Sequence, residues 1–293
     1  MHTEASARIL LTGGLGKTSS RIAQLLSSQG YRVRRAGRSL SRAGGERAEE
    51  HFSFDWFDDS NHDALLQDVH AVYLVSPPSL QPAEFMIPFI RRALDASVTR
   101  FVLLSSASIP ENSPPFGPVH RFLREHAPEW AVLRPSYFMQ NFTEGGHLYT
   151  LRESGQIFTA AGDGKVAFVD ADDIAAVGFH ALTDEEPHNR EHIITGPESL
   201  SYDEAAGIIR RVTGLDAKHC FISSEELAVR HTAAGLPADY AGFLARMDDR
   251  IRLEGMEDQV TDTVLRVTGR EPRSLEKYIR GNKASFQFVP QIV

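Results

Sequence analysis

The apolar run Ile9-Leu10-Leu11 passes directly into Thr12-Gly13-Gly14-Leu15-Gly16-Lys17-Thr18-Ser19, and a helical pattern comes next. Ile22, Leu25 and Leu26 fall at helical spacing, and Gly30 stands where a C-terminal cap belongs. The order is strand, glycine turn, helix. Such a turn suits a pyrophosphate, because glycines let the backbone approach the anion and the first N–H groups of the helix point at it. Gly14-x-Gly16-x-x-Ser19 departs from the dinucleotide fingerprint only in Ser19, a small residue where close helix–strand packing needs little bulk. Gly16-Lys17-Thr18 also imitates the end of a phosphate-binding P-loop, but that motif needs a glycine at position 11, where Leu11 stands inside the strand. A glycine turn that binds nothing is the remaining reading.

The rest of the first half repeats the alternation. Residues 31–36 read as a second strand, residues 52–56 as a third, 71–75 as a fourth, 101–106 as a fifth and 130–135 as a sixth, with helical patterns between several of them. Pro88 lies inside the pattern formed by Phe85, Met86, Phe89, Ile90, Ala93 and Leu94 and should kink it. From about Thr143 glycines punctuate shorter strands at 156–160 and 165–169. The aspartates of Asp170-Ala171-Asp172-Asp173 then open a helix as caps, and Ser201-Tyr202-Asp203-Glu204 is a capping box. The expected fold is α/β: a Rossmann-type, doubly wound, mainly parallel sheet with a smaller α+β region capping the substrate. Residues 1–142 are the expected NADP-binding domain. Residues 143–293 are the expected substrate-binding region, partly interleaved with the sheet.

Composition narrows the partners. A net charge of −8 disfavours a general nucleic-acid surface, which needs a basic face. The single Cys220 excludes an internal disulfide or a cysteine-based zinc site and reads as a small packing residue. No His-Glu-x-x-His spacing suggests a metal, and no Gly-x-Ser-x-Gly elbow suggests a serine hydrolase. No apolar run approaches the roughly 18 residues of a membrane span, and residues 1–6 lack the order of a signal peptide. The expectation is a cytoplasmic protein with a small-molecule substrate, no nucleic-acid or membrane partner, and a monomeric or homodimeric state.

In open α/β sheets the ligand lies beyond the carboxyl ends of the strands, which makes those ends informative. After the second strand no acid appears before Glu46, whereas Arg35, Arg38 and Arg42 cluster. An arginine there suits a ribose 2′-phosphate, so NADPH is favoured over NADH, with Arg38 as the fork on the phosphate; a solvated basic edge is the alternative. Asp55 could accept from an adenine amino group with Trp56 near the same ring, or cap a helix. Ser76-Pro77-Pro78 closes the fourth strand rigidly and should face the cofactor, and Ser105 and Ser106 end the fifth. Tyr137, Phe138, Asn141 and Phe142 leave the sixth, where their rings could stack on a planar substrate or simply pack.

Several spaced motifs together resemble the NmrA-like atypical short-chain dehydrogenases, and within them the ergot-alkaloid reductases of the festuclavine and agroclavine dehydrogenase type. They are residues 11–18, Phe54-Asp55-Trp56, residues 101–105, Val132-Leu133-Arg134-Pro135 with residues 138–142, and Ile194-Thr195-Gly196-Pro197-Glu198. The resemblance runs in order to Thr268-Gly269-Arg270-Glu271-Pro272-Arg273. It implies an NADP(H) site built from Gly13, Gly14, Leu15, Gly16, Lys17 and Thr18, with Arg38, Ser39, Asp55, Ser76, Pro77, Pro78 and Ser105; Thr12 and Trp56 join the expected cofactor site from their own positions. The expected substrate residues are Ser106, Tyr137, Phe138, Asn141 and Phe142.

The resemblance supplies no proton donor. Ketone-reducing short-chain dehydrogenases use a Tyr-x-x-x-Lys pair, the lysine lowering the tyrosine's pKa. None of the seven tyrosines is followed by a lysine four residues on. Many NmrA-like relatives carry a lysine at the start of the helix after the long loop; this chain has Phe116-Gly117-Pro118 there, with His120 one turn on. His120 and Tyr137 are the only acid candidates. Hydride transfer to a ketone builds negative charge on oxygen and benefits from a donor, while transfer to an iminium neutralises a charge already present. The expected activity is NADPH-dependent reduction of an imine, iminium or conjugated double bond in a specialised, alkaloid-like metabolite. Two alternatives stay open: a redox sensor that binds NADP without chemistry, and an isomerase or cyclase that retains NADP.

Overall fold

The fold is described from a computed structural model for residues 8–38 and 49–287. In chain order it begins with β1 (Arg8–Thr12), α1 (Lys17–Ser28), β2 (Arg32–Gly37), β3 (Glu49–Ser53), α2 (His62–Leu66), β4 (Val69–Val75), α3 (Ala83–Asp95), β5 (Arg100–Leu104), α4 (Gly117–His126) and β6 (Glu129–Pro135). It continues with α5 (Gly146–Ser154), β7 (Gln156–Thr159), β8 (Lys165–Val166), α6 (Ala171–Thr183), β9 (Arg190–Ile194), β10 (Leu200–Ser201) and α7 (Tyr202–Thr213). β11 (Lys218–Phe221), α8 (Ser224–Ala233), α9 (Ala238–Glu254), α10 (Thr263–Thr268) and α11 (Leu275–Gly281) complete it. Two compact units result, Met1–Arg134 with Ile174–Ile193, and Pro135–Asp173 with Ile194–Val293. None of the described helices is long and apolar enough to cross a membrane.

The first unit holds the Rossmann-type sheet, in the order β3-β2-β1-β4-β5-β6-β9. The first six strands pair in parallel. Strands such as β1 and β4 carry near-continuous apolar runs because helices cover both faces of such a sheet. Leu10, Val72, Leu74, Phe89, Ile90, Phe101, Leu103 and Val132 join one core in this unit. The order runs outward in opposite directions from β1 and from β4. That reversal is the topological switch point, beside which doubly wound sheets bind their ligands.

Local chemistry moves some boundaries. The third strand ends at Ser53 rather than 56. There the Asp55 carboxylate accepts the Phe57 N–H at 3.1 Å, an Asx turn that competes with the ladder. Helix α3 is continuous through Pro88. The stretch 165–169 pairs as a strand only at Lys165 and Val166, opposite β10. The sequence reading contains no counterpart of β9, because Arg190, Glu191 and His192 hide its alternation; β9 ends the sheet order, and charge on an edge strand is common.

Arg34 ties β2 to β3 and α2. Its guanidinium donates to Glu50 Oε2 at 2.8 and 3.0 Å and to the carbonyls of Leu65 and Gln67 at 2.6 and 3.0 Å. Burial alone would raise the Glu50 pKa, but Arg34, Arg8 and Arg32 hold it below the usual carboxylate range.

The second unit packs a separate core that includes Phe142, Phe168, Tyr202, Ile209, Ile251 and Tyr278. Its caps obey the sequence signals. Ser201 accepts from the Glu204 N–H and Glu204 returns a bond to the Ser201 N–H. Buried Asp170 Oδ1 accepts from the Asp172 N–H at 3.0 Å and from Gln140 at 2.7 Å, while Oδ2 meets Arg273 at 2.6 Å.

Candidate functional site

The glycine turn lies between β1 and α1, at the switch point of the first unit. Gly13 has φ 75°, a conformation that L side chains rarely adopt, and a Cβ there would stand 2.9 Å from the Val75 Cβ. Buried hydroxyls brace both flanks of the turn. Thr12 Oγ1 donates to the Tyr73 carbonyl at 3.1 Å and accepts from the Val75 N–H at 2.8 Å, lacing β1 to β4. Ser19 Oγ donates to the Thr12 carbonyl at 3.0 Å, so the residue in the last glycine's place clasps helix to strand as well as being small. Tyr73 donates to Thr18 Oγ1 at 3.0 Å, and burial pushes the Tyr73 phenol well above its ordinary pKa.

The turn is fastened from β2 by a residue with another expected role. Arg35 donates from Nε and Nη2 to the Gly14 carbonyl at 3.0 and 2.7 Å, and from Nη2 to Ser20 Oγ at 3.0 Å. The Gly14 N–H donates to the Ala36 carbonyl at 2.9 Å. Gly16, the N-cap of the 12-residue α1, is exposed, no side chain caps the helix, and its first turn carries no acid. A helix N-terminus left in this state favours an anion through both its N–H groups and its dipole. The residues present therefore fit a dinucleotide pyrophosphate.

Other expected cofactor residues lie past the carboxyl ends of neighbouring strands. Arg38 is exposed one residue beyond β2; Ser39 lies outside the described residues. Asp55 comes after β3, and its Asx turn uses one carboxylate oxygen. Trp56 is anchored. Its indole N–H donates to the Val75 carbonyl at 3.0 Å, and its ring meets Phe54 and Phe89 edge-on at 4.9 and 5.3 Å. Beyond β4, Pro77 is buried, Pro78 exposed, and Ser76 Oγ donates to the Pro77 carbonyl at 2.8 Å. Beyond β5, Ser105 is buried and Ser106 half-buried.

Arg134 fixes the loop after β5, a role that its place in the Arg-Pro motif alone did not reveal. Buried at 6% exposure, it donates from Nη1 to both Glu191 oxygens at 2.9 and 2.8 Å. Nη2 donates to the Ala107 carbonyl at 2.6 Å and Nε to that of Ser106 at 3.3 Å. His120 on α4 is buried beside Trp130, with Nδ1 3.9 Å from Glu191 Oε2. Burial lowers its pKa despite the opposing pull of Glu191 and Glu111.

In the second unit the residues after β6 divide. Phe142 is fully buried among Phe168, Tyr202 and His147, with ring centroids at 5.2, 6.3 and 5.5 Å. It packs, and leaves no ring face for a substrate. Phe138 and Asn141 are half-buried, Phe138 pairing with Val169 in an isolated bridge. Tyr137 is half-buried, and its hydroxyl donates to Asp248 Oδ1 at 3.2 Å. Asp248 is a partner that sequence reasoning missed: it lies 111 residues away on α9, with no motif around it.

Comparisons with known proteins agree with this architecture. A family model described as the NmrA-like family matches residues 5–279. The chain is 46% identical over 277 residues to the uncharacterized oxidoreductase YesF of Bacillus subtilis, covering 94% of this chain and 95% of that protein. It is 38% identical over 284 residues to the agroclavine dehydrogenase of Claviceps fusiformis, covering 94% and 97%. Among solved structures, the NADPH-dependent quinone oxidoreductase QOR2 of Escherichia coli in complex with NADPH superposes with a TM-score of 0.78 at 19% identity, over 93% of this chain and 99% of that one.

Proposed function

The chain belongs to the NmrA-like family, and we propose that it is an NADPH-dependent reductase of an imine, iminium or conjugated double bond in a specialised metabolite. The observation that carries the reading is the turn after β1, where Gly13 holds φ 75° and α1 begins without a side-chain cap or a first-turn acid. Gly13 to Thr18 hold the pyrophosphate, Arg38 takes the 2′-phosphate, and the ends of β3, β4 and β5 take the remainder of the dinucleotide. The half-buried rings of Tyr137 and Phe138 are the proposed substrate contacts. The dehydrogenase and oxidoreductase relatives support the class of reaction.

When bound, NADPH supplies a hydride. What the chain supplies is position: Thr12, Ser19 and Arg35 keep the glycine turn in one conformation before the cofactor arrives, which removes an ordering cost from binding. The sequence holds no Tyr-x-x-x-Lys pair, so reduction of a ketone gains little here, whereas an electrophilic carbon next to nitrogen needs mainly to be held against the cofactor. The purified protein, given a panel of cyclic imines and iminium salts, is expected to oxidise NADPH measurably faster than NADH. Cofactor binding without turnover across that panel would refute the reading.

A further inference from the structure

A cavity of about 510 Å³ opens in the first unit at the end of the sheet where β6 and β9 follow β5. That is the size of a small-molecule site. Its lining comes from α4, β6, β9 and the loop after β5, all within the one unit. His120 of α4 lines it and is 3% exposed. Among the described residues nothing makes a hydrogen bond to the His120 ring: Glu191 Oε2, on the same cavity, stays 3.9 Å from Nδ1, beyond hydrogen-bond reach. A buried imidazole without a partner is costly, because it has given up water and received nothing in exchange. Trp130 lines the cavity beside it, with ring centroids 5.7 Å apart. Its indole N–H likewise makes no hydrogen bond among the described residues, although its backbone N–H donates to Asn189.

The walls around these rings are held in place. Arg134 donates to both Glu191 oxygens, and the same guanidinium donates to the Ser106 and Ala107 carbonyls of the loop that runs on to Glu111. One buried arginine thus positions two sides of the cavity, and each Glu191 oxygen keeps a lone pair free for a further donor. The charges pair off with one left over. Glu191 is matched by Arg134, and Glu111 accepts from Arg124 Nε at 2.8 Å. Arg121, the residue after His120, is 53% exposed and comes no closer to Glu111 than 3.9 Å. Burial lowers the His120 pKa, which favours a ring with one nitrogen that donates and one that accepts.

We propose that this cavity binds a small aromatic carboxylic acid that also carries an amine or a hydroxyl group. The amine or hydroxyl bridges the 3.9 Å gap between His120 Nδ1 and Glu191 Oε2, standing on the order of 2.8 Å from each. A group in that position has to donate to Glu191, since an ionised carboxylate only accepts, while His120 takes either sense of bond according to its tautomer. The ligand carboxylate pairs with Arg121, whose fork of N–H groups matches it. The ligand ring lies against Trp130. A plain carboxylate would leave His120 and Glu191 unbridged, and a plain amine would leave Arg121 unmatched. The site goes beyond the reductase reading and does not depend on it, because His120, Trp130, Glu191 and Arg121 are not among the proposed cofactor or substrate contacts.

Fluorine NMR of the full chain tests the site. The chain has two tryptophans, Trp56 and Trp130, so 5-fluorotryptophan labelling gives two signals, and the one missing from Trp130→Phe reports the cavity. Titration with L-phenylalanine or L-phenyllactate is expected to shift the Trp130 signal, saturating below about 10 mM, and to leave the Trp56 signal in place. Whichever acid binds more tightly identifies the bridging group as amine or hydroxyl. Hydrocinnamate lacks that group and phenethylamine lacks the carboxylate, so each is expected to bind at least about tenfold more weakly. Arg121→Gln, at an exposed position, is expected to weaken the preferred acid at least about tenfold and to leave phenethylamine unchanged. His120→Gln is expected to bring that acid down to the level of hydrocinnamate. No saturable shift with either acid, equal binding of hydrocinnamate or of phenethylamine, or an Arg121→Gln loss that phenethylamine shares would overturn the assignment.

Discussion

Replacement of Arg35 by methionine separates two jobs that arginines can do at the end of β2. The guanidinium makes two bonds to the Gly14 carbonyl and one to Ser20 Oγ, and hydrogen bonds to a charged donor are worth about 1.5–3 kcal/mol net. Nε and Nη2 share one acceptor, and water can reach the turn, where Leu15 is 62% exposed and Gly16 is exposed. The loss is therefore near the low end, about 1.5 kcal/mol, because the Gly14 carbonyl is hydrated rather than orphaned. If that energy holds the turn in its binding conformation, both cofactors lose about tenfold in affinity at 1.4 kcal/mol per factor of ten. Fluorescence titration of Arg35→Met with NADPH and with NADH, beside the wild type, gives the two ratios. Parallel losses are expected. A loss for NADPH that exceeds the loss for NADH by tenfold would show that Arg35 reaches the 2′-phosphate and that the bracing role is wrong.

The complementary variant is Arg38→Ala, which is expected to weaken NADPH binding by at least about tenfold more than NADH binding, because a bidentate phosphate contact is lost; equal losses in the same titration would remove the phosphate assignment. Asp248→Asn is expected to stabilise the protein at pH 8. Moving a carboxyl from 3.8 to about 6 corresponds to about 3 kcal/mol at 1.36 kcal/mol per pKa unit. A group with a raised folded pKa contributes stability below its unfolded pKa and loses it as pH rises through the folded value. The gain in denaturation midpoint should thus be present above pH 6 and shrink toward pH 4; a gain that is the same at both pH values would refute the burial argument. Gly196→Ala is expected to cost at least about 3 kcal/mol or prevent folding, because its Cβ would lie 2.0 Å from the Phe168 carbonyl oxygen. Gly30→Ala, with φ 82° and nothing within 4 Å of a Cβ, should cost only about 1–2 kcal/mol in the same urea titration.

Much of the first unit is legible from local pattern. Ile9-Leu10-Leu11 with Gly13, Gly14 and Gly16 after it can do little except end a buried strand and begin a helix, since only glycine holds φ 75° against Val75 without cost. Ser201 and Glu204 announce their helix in the same way, through bonds between residues three apart. Failures occur where a residue's partner is distant. Arg35 and Arg38 are indistinguishable as basic residues near a strand end, yet the structure commits Arg35 to the Gly14 carbonyl. Phe142 reads as a ring that could stack on a ligand, but the core around Phe168 and Tyr202 consumes it. β9 hides because its side chains are charged, although its backbone joins the sheet beside β6.

The sequence by itself determined the strand–glycine–helix order, the doubly wound class, the absence of a tyrosine–lysine dyad and the arginine-rich end of the second strand. Each is a property of residues close in the chain, where backbone sterics and short hydrogen bonds act without help from the fold. Only the tertiary structure decided that Thr12, Ser19 and Arg35 brace the turn, that Arg134 holds the loop after β5, and that Tyr137 shares a hydrogen bond with Asp248. The physical reason is burial. Whether a carboxyl group is an exposed anion or a neutral acid depends on the water and charges that surround it, and packing places those around Asp248 from segments as distant in sequence as Tyr137 and Tyr202.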